Sequence, residues 1–189
     1  MSKSLIKLID VALIPAAIMI CGKVAGLCFA NLVFNLNWGI LTDPNNFFSV
    51  KIVYETLNQQ IIATSYSNLM MYLFVLIGFT FILIRALYFH SSHISPKILA
   101  KLATNNLLNL IANSFEIYYQ SSVWLIMLWL AFFALFINVL LGNSFVWTCI
   151  TTFISNIVAT TLLLRDVTKE IKISKKNLPK IANNNFQTS

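Results

Sequence analysis

Four apolar runs dominate this chain, and each is long enough to cross a lipid bilayer as a helix. They are "VALIPAAIMICGKVAGLCFANLVF" from Val11 to Phe34, "LMMYLFVLIGFTFILIRALYF" from Leu69 to Phe89, "VWLIMLWLAFFALFINVLL" from Val123 to Leu141, and "FVWTCITTFISNIVATTLLL" from Phe145 to Leu164. A hydrocarbon layer about 30 Å thick requires roughly 20 helical residues. An isolated lipid-exposed strand would leave its backbone groups unpaired, so helices are the reading that physics allows. Composition agrees. Of 189 residues, 58% are hydrophobic and 10% charged, against about a quarter charged in a soluble domain. The surplus apolar surface must face lipid or other proteins.

The sequence therefore predicts an all-α fold, a polytopic membrane protein with four transmembrane helices. The membrane domain covers residues 1–168, and residues 169–189 form a basic, flexible tail. The third and fourth spans are joined by "GNS", Gly142 to Ser144, as a tight hairpin. A basic start precedes the first run, as in a secretory signal. However, Lys23 interrupts the run and its apolar character continues beyond any cleavage point, so it is read as an uncleaved helix.

The connections are not plain loops. Ser95 and Pro96 form a helix start. Over residues 96–120, Leu99, Leu102, Leu107 and Leu110 fall on one side, while Lys101, Asn105 and Asn109 fall on the other. This predicts an amphipathic helix between the second and third spans. It either lies in the membrane interface or packs on the ends of its neighbours. The first connection opens with a turn signal, "TDPNN" at Thr42 to Asn46, and "FFSVKIVYETLNQQIIA" after it reads as either a further short amphipathic helix or a re-entrant piece.

Charge sets the orientation. Net charge is +7, and six of the thirteen Lys and Arg lie after Leu164. Lys3 and Lys7 precede the first span, Arg85, Lys97 and Lys101 accompany the second connection, and the "GNS" turn has none. Basic residues mark the cytoplasmic side, so both termini are expected there. Lys97, Lys101, Lys172, Lys175 and Lys176 are candidates for contact with anionic lipid headgroups. No nucleic-acid motif accompanies the basic tail, so lipids and membrane proteins, including further copies of this chain, are the expected partners. Trp38, Trp124 and Trp147 fall near predicted helix ends, the interfacial position indole prefers. The Asn-, Lys-, Ile- and Phe-rich composition suits a bacterial inner membrane.

Three features could carry function. Gly22, Gly26 and Ala30 recur at four-residue spacing, a strip that lets another helix approach closely. Lys23 flanks that strip, about 100° away around the axis. Either it is a buried cation facing a partner or polar cavity, or its stem carries the charge to an interface. In the fourth span Thr148, Thr152, Ser155 and Asn156 make a polar stripe. The stripe either lines a pathway or holds helices together, with Thr hydroxyls bonding to their own i−4 carbonyls.

Catalytic chemistry finds little footing. There is no GxSxG, no HExxH and no phosphate-binding glycine loop. None of the six acids lies well inside a span. His90 and His93 are two ligands at most, too few for a metal site, and no cofactor is implied. Cys21, Cys28 and Cys149 all sit in apolar runs and suggest no disulfide framework. The expected function is that of a non-enzymatic membrane subunit acting through helix packing, in a larger assembly or a homo-oligomer. The alternative is a small transporter or channel with a polar pathway along the fourth helix.

Overall fold

The computed structural model describes residues 3–42, 50–88, 104 and 114–186, with side chains for 9, 11–41, 52–87, 104 and 116–172. Among these, four helices and one hairpin follow in order: α1 (Lys3–Val33), β1 (Trp38–Thr42), β2 (Val50–Tyr54), α2 (Leu57–Tyr88), α3 (Ser114–Leu140) and α4 (Val146–Phe186). All four helices contain stretches long and apolar enough to cross a membrane: Val11–Val33, Leu57–Leu87, Glu116–Leu140 and Val146–Lys172. The chain is mostly helical and built to be membrane-embedded.

The central helix is α2, which packs against each of the other three. Its inward face carries Met71, Tyr72, Val75, Phe79 and Leu83 into one cluster with Trp124, Leu128 and Ala131 of α3 and Ala159 and Leu163 of α4. Spacings of three and four residues put these side chains on single helix faces. Outward faces stay apolar: Leu13, Ile20, Ile77, Phe81, Ile126, Leu140, Ile150 and Leu164 are all exposed, as a lipid-facing surface requires.

The helix ends are written in local chemistry. Gly142 takes a positive φ of 72° and closes α3. Asn143 N–H donates to Asn138 O at 2.8 Å and Gly142 N–H to Val139 O at 3.0 Å, the paired bonds that satisfy orphan carbonyls at a helix C-terminus. Asn35 plays the same part after α1, with φ 48° and Leu36 N–H bonded to Asn31 O at 3.3 Å. At the start of α2, Thr56 Oγ1 accepts from Gln59 N–H at 3.3 Å, an N-cap.

Three expectations need revision. The segment read as a short amphipathic helix after Asn46 holds a strand instead. Val50–Tyr54 pairs antiparallel with Trp38–Thr42, Ile40 opposite Ile52 and Trp38 opposite Tyr54. "VKIVY" is rich in β-branched and aromatic residues, which suit a pleated surface better than a helix. The fold is therefore helical with a β-hairpin rather than purely α. Next, α2 begins at Leu57, twelve residues before the expected Leu69. The added turns carry Ser65, Ser67 and Asn68, and all three side chains are buried. Third, residues 114–120 form the first turns of α3 rather than the end of a separate helix; the rest of the predicted interfacial helix, Thr104 apart, lies outside the described residues. This extension places Trp124 well inside α3, where it is only 7% exposed. The backbone of α4 is helical to Phe186.

Candidate functional site

The glycine strip is used within the chain. Gly22, Gly26 and Ala30 are all buried. A Cβ on Gly22 would lie 3.0 Å from Met71 Cα and Phe74 Cβ. One on Gly26 would lie 2.7 Å from Ser67 Cα and Met70 Cβ. The backbones of α1 and α2 therefore meet without intervening side chains, and Ser67 Oγ donates to Lys23 O at 2.8 Å. Ala30 closes a small cluster with Leu36 and Ala63, covered by Leu27, Tyr54, Ile62 and Tyr66. In the same region Tyr54 Oη donates to Asn31 Oδ1 at 3.2 Å, tying the hairpin to α1. Burial raises the Tyr54 pKa above its ordinary value and so keeps the donor protonated.

Lys23 stands apart. Its carbonyl is held by Ser67, but its side chain is exposed on the surface of α1. Burial of the cation within the chain is thus not what the fold provides. No described residue pairs with its ammonium group.

The polar stripe of α4 meets a polar stripe of α2. Thr148, Thr152 and Asn156 are at most 2% exposed, and so are Ser65, Asn68 and Tyr72 across from them; Ser155 is half-buried at the side. Two contacts set the register. Phe145 N–H donates to Ser65 Oγ at 2.9 Å. Tyr72 Oη donates to Asn156 Oδ1 at 2.9 Å and lies 3.2 Å from Thr152 O. Both helices advance in the same direction between these contacts, so α2 and α4 run parallel.

Most of the threonine hydroxyls are committed to their own helix. Thr148 Oγ1 donates to Phe145 O at 2.6 Å, Thr152 Oγ1 to Thr148 O at 2.9 Å, and Thr160 Oγ1 to Asn156 O at 2.7 Å. Thr160 also accepts from Trp129 Nε1 at 3.2 Å, joining α3 to the seam. Four buried atoms along this line lack a hydrogen-bond partner among the described residues: Nδ2 and Oδ1 of Asn68, Nδ2 of Asn156 and Oγ of Ser144. Asn68 lies three residues from Ser65 and four from Tyr72, so it belongs to the same face. The α2 half of the seam was hidden in the sequence by placing the second span's start at Leu69. The string "SYSNLMMY", Ser65 to Tyr72, carries polar groups at helical spacing and was the available signal.

At the opposite end of the bundle, Tyr118 Oη donates to Asp166 Oδ2 at 3.0 Å, joining α3 to α4. Nearer the Gly142 turn, Trp129, Phe132 and Phe136 of α3 and Phe153 of α4 line an apolar groove of about 440 Å³. Cys21 and Cys28 are exposed, Cys149 is half-buried, and all three are free. Among the described residues no group of three or more His, Cys, Asp or Glu could hold a metal ion. Lys172 is exposed. Lys97, Lys101, His90 and His93 lie outside the described residues, as do the side chains of Lys175 and Lys176. Compared with protein-family models, with curated proteins and with solved structures, the chain matches none.

Proposed function

We propose that this protein is a non-enzymatic integral membrane subunit that works by packing against other membrane proteins in a larger assembly or against further copies of itself. The observation that carries the reading is Lys23, a charge in the interior of an apolar span that faces outward and meets no described group. A lysine at that depth costs about 3 kcal/mol on insertion scales, and a protein neighbour offsets that cost. The glycine strip and the polar seam are consumed in holding the four helices to one another. The unused interaction capacity is on the outside.

Orientation follows from charge. Arg85 closes α2, Arg165 lies where the apolar stretch of α4 ends, and Lys3 and Lys7 open α1. This supports cytoplasmic termini, in a bacterial inner membrane. The test is gentle solubilisation from native membranes, followed by sizing and mass spectrometry. The expected particle contains more than one chain. A particle of one chain with lipid overturns the reading.

The amide of Asn68 and the Nδ2 of Asn156, buried without a partner among the described residues, favour a second reading, a small transporter or channel with a solvated path along α4. In that case Asn68→Leu abolishes flux in proteoliposomes while leaving particle size unchanged.

A further inference from the structure

The depth of Lys23 can be read from the helix contacts. Gly22 faces Met71, and Gly26 faces Ser67 and Met70. Lys23 is therefore level with Met70 and Met71 of α2. Ser65 is level with Phe145, at the turn between α3 and α4. That turn must sit at the hydrocarbon edge, because irregular lipid-exposed backbone is not tolerated below it. Lys23 thus lies about six residues, or roughly 9 Å, beneath the edge on that side. Measured along α1 itself, it is ten residues, roughly 15 Å, from Val33 and twelve residues, roughly 18 Å, from Val11.

An extended lysine stem reaches roughly 6 Å. It also leaves the helix tilted towards the N-terminus, which for α1 is away from the nearer edge. The stem is short for the distance and starts in the wrong direction. Snorkelling does not resolve the charge.

Nor does a second copy supply a counter-charge. The six acids of the chain are Asp10, Asp43, Glu55, Glu116, Asp166 and Glu170. Asp10 precedes the first apolar span, Glu55 follows the hairpin, and Glu116, Asp166 and Glu170 stand near the span ends away from it; Asp43 lies outside the described residues. Among the described residues no acid lies at the level of Met70 and Met71. Copies inserted in the same orientation would bring Lys23 to a surface without a described carboxylate at that level, or to another Lys23.

We infer that the Lys23 face of α1 is the docking surface for a membrane helix of a different protein, one that carries an Asp or Glu carboxyl at matching depth. This deepens the subunit reading and rests on it. Charge complementarity selects the partner. In hydrocarbon an unpaired ammonium is costly, an unpaired carboxylate equally so, and each relieves the other. Gly22, Gly26 and Ala30 take no part, since α2 already covers them.

The experiment uses the full chain in liposomes with labelled single-span polyleucine peptides as probes. One peptide bears a single glutamate at the matching depth, and one bears none. Energy transfer measures association. The glutamate peptide is expected to bind about tenfold more tightly than the plain one, the factor that about 1.4 kcal/mol represents. Lys23→Leu should abolish the preference, and Lys23→Arg should keep it. Lys23→Leu removes a charge from lipid and so folds at least as well as the parent. Equal binding of the two peptides to the parent chain overturns the inference. So does self-association of the parent that Lys23→Leu abolishes, because then a second copy occupies the face; that result leaves the subunit reading standing. The subunit reading fails separately, on a single-chain particle from native membranes.

Discussion

Individual side chains at the helix contacts make sharply different predictions for chemically similar changes. Gly26→Ala places a methyl 2.7 Å from Ser67 Cα, which is backbone and cannot swing aside. The α1–α2 contact must open, and a loss of about 1–3 kcal/mol is expected, typical of overpacking. Unfolding in mixed micelles, followed by circular dichroism, measures it. Asn156 and Asn68 sit on facing stripes but differ in what they hold. Asn156 Oδ1 accepts from Tyr72 Oη, whereas neither polar atom of Asn68 has a partner among the described residues. Asn156→Leu should therefore destabilise by about 1 kcal/mol, in line with hydrogen bonds between membrane helices. Asn68→Leu should be neutral or stabilising, since removing an unsatisfied polar group removes its desolvation penalty. The same assay compares the two variants, and equal losses would refute the assigned roles. Much of this scale was legible beforehand. Gly22, Gly26 and Ala30 announced close packing through their spacing, and the α4 stripe announced itself through its threonines. Which helix would receive each face was not legible, because spacing within one helix says nothing about the neighbour it meets.

At the level of elements, boundaries were harder to read than existence. The four apolar runs could be seen at once, because a bilayer imposes a length and a polarity on them. Their ends were misplaced wherever polar residues turned inward. Ser65, Ser67 and Asn68 precede the apolar run from Leu69, yet they are interior to α2 and buried. The hairpin was missed because a ten-residue strand signal was judged beside long helical ones. The caps were better encoded. Gly142, at φ 72°, needs no side chain clearance but does need a left-handed backbone. Gly142→Ala should cost about 1 kcal/mol, chiefly by strain in the turn. Thr56→Ala should cost about as much by leaving Gln59 N–H without its cap. Hydrogen exchange provides the check. Each variant should loosen its own helix end, α3 in the first case and α2 in the second, with the central cluster unchanged.

For the molecule as a whole, the arrangement of charge and the parallel run of α2 and α4 fix a polarity. Arg85, Arg165 and the N-terminal lysines gather at one end, and the hairpin and the Gly142 turn occupy the other. A cysteine introduced at Lys176 should react with a membrane-impermeant maleimide only after the membrane is opened, and one introduced at Gly39 should react without opening it. The reverse pattern would invert the threading. The contact between Ser65 and Phe145 has a further consequence. From that level α2 continues for eight more residues, roughly 12 Å, back to Leu57. The matching end of α1 carries Phe29, Leu32 and Val33, all exposed and apolar. One flank of the bundle is thus taller in hydrocarbon than the other. Lipid cannot be flush with both, so the bilayer must thin beside α3 and α4 or swell beside α1 and α2. A molecule shaped like a stair tread distorts its surroundings, and neighbours with spans of matching height relieve that distortion by gathering beside it.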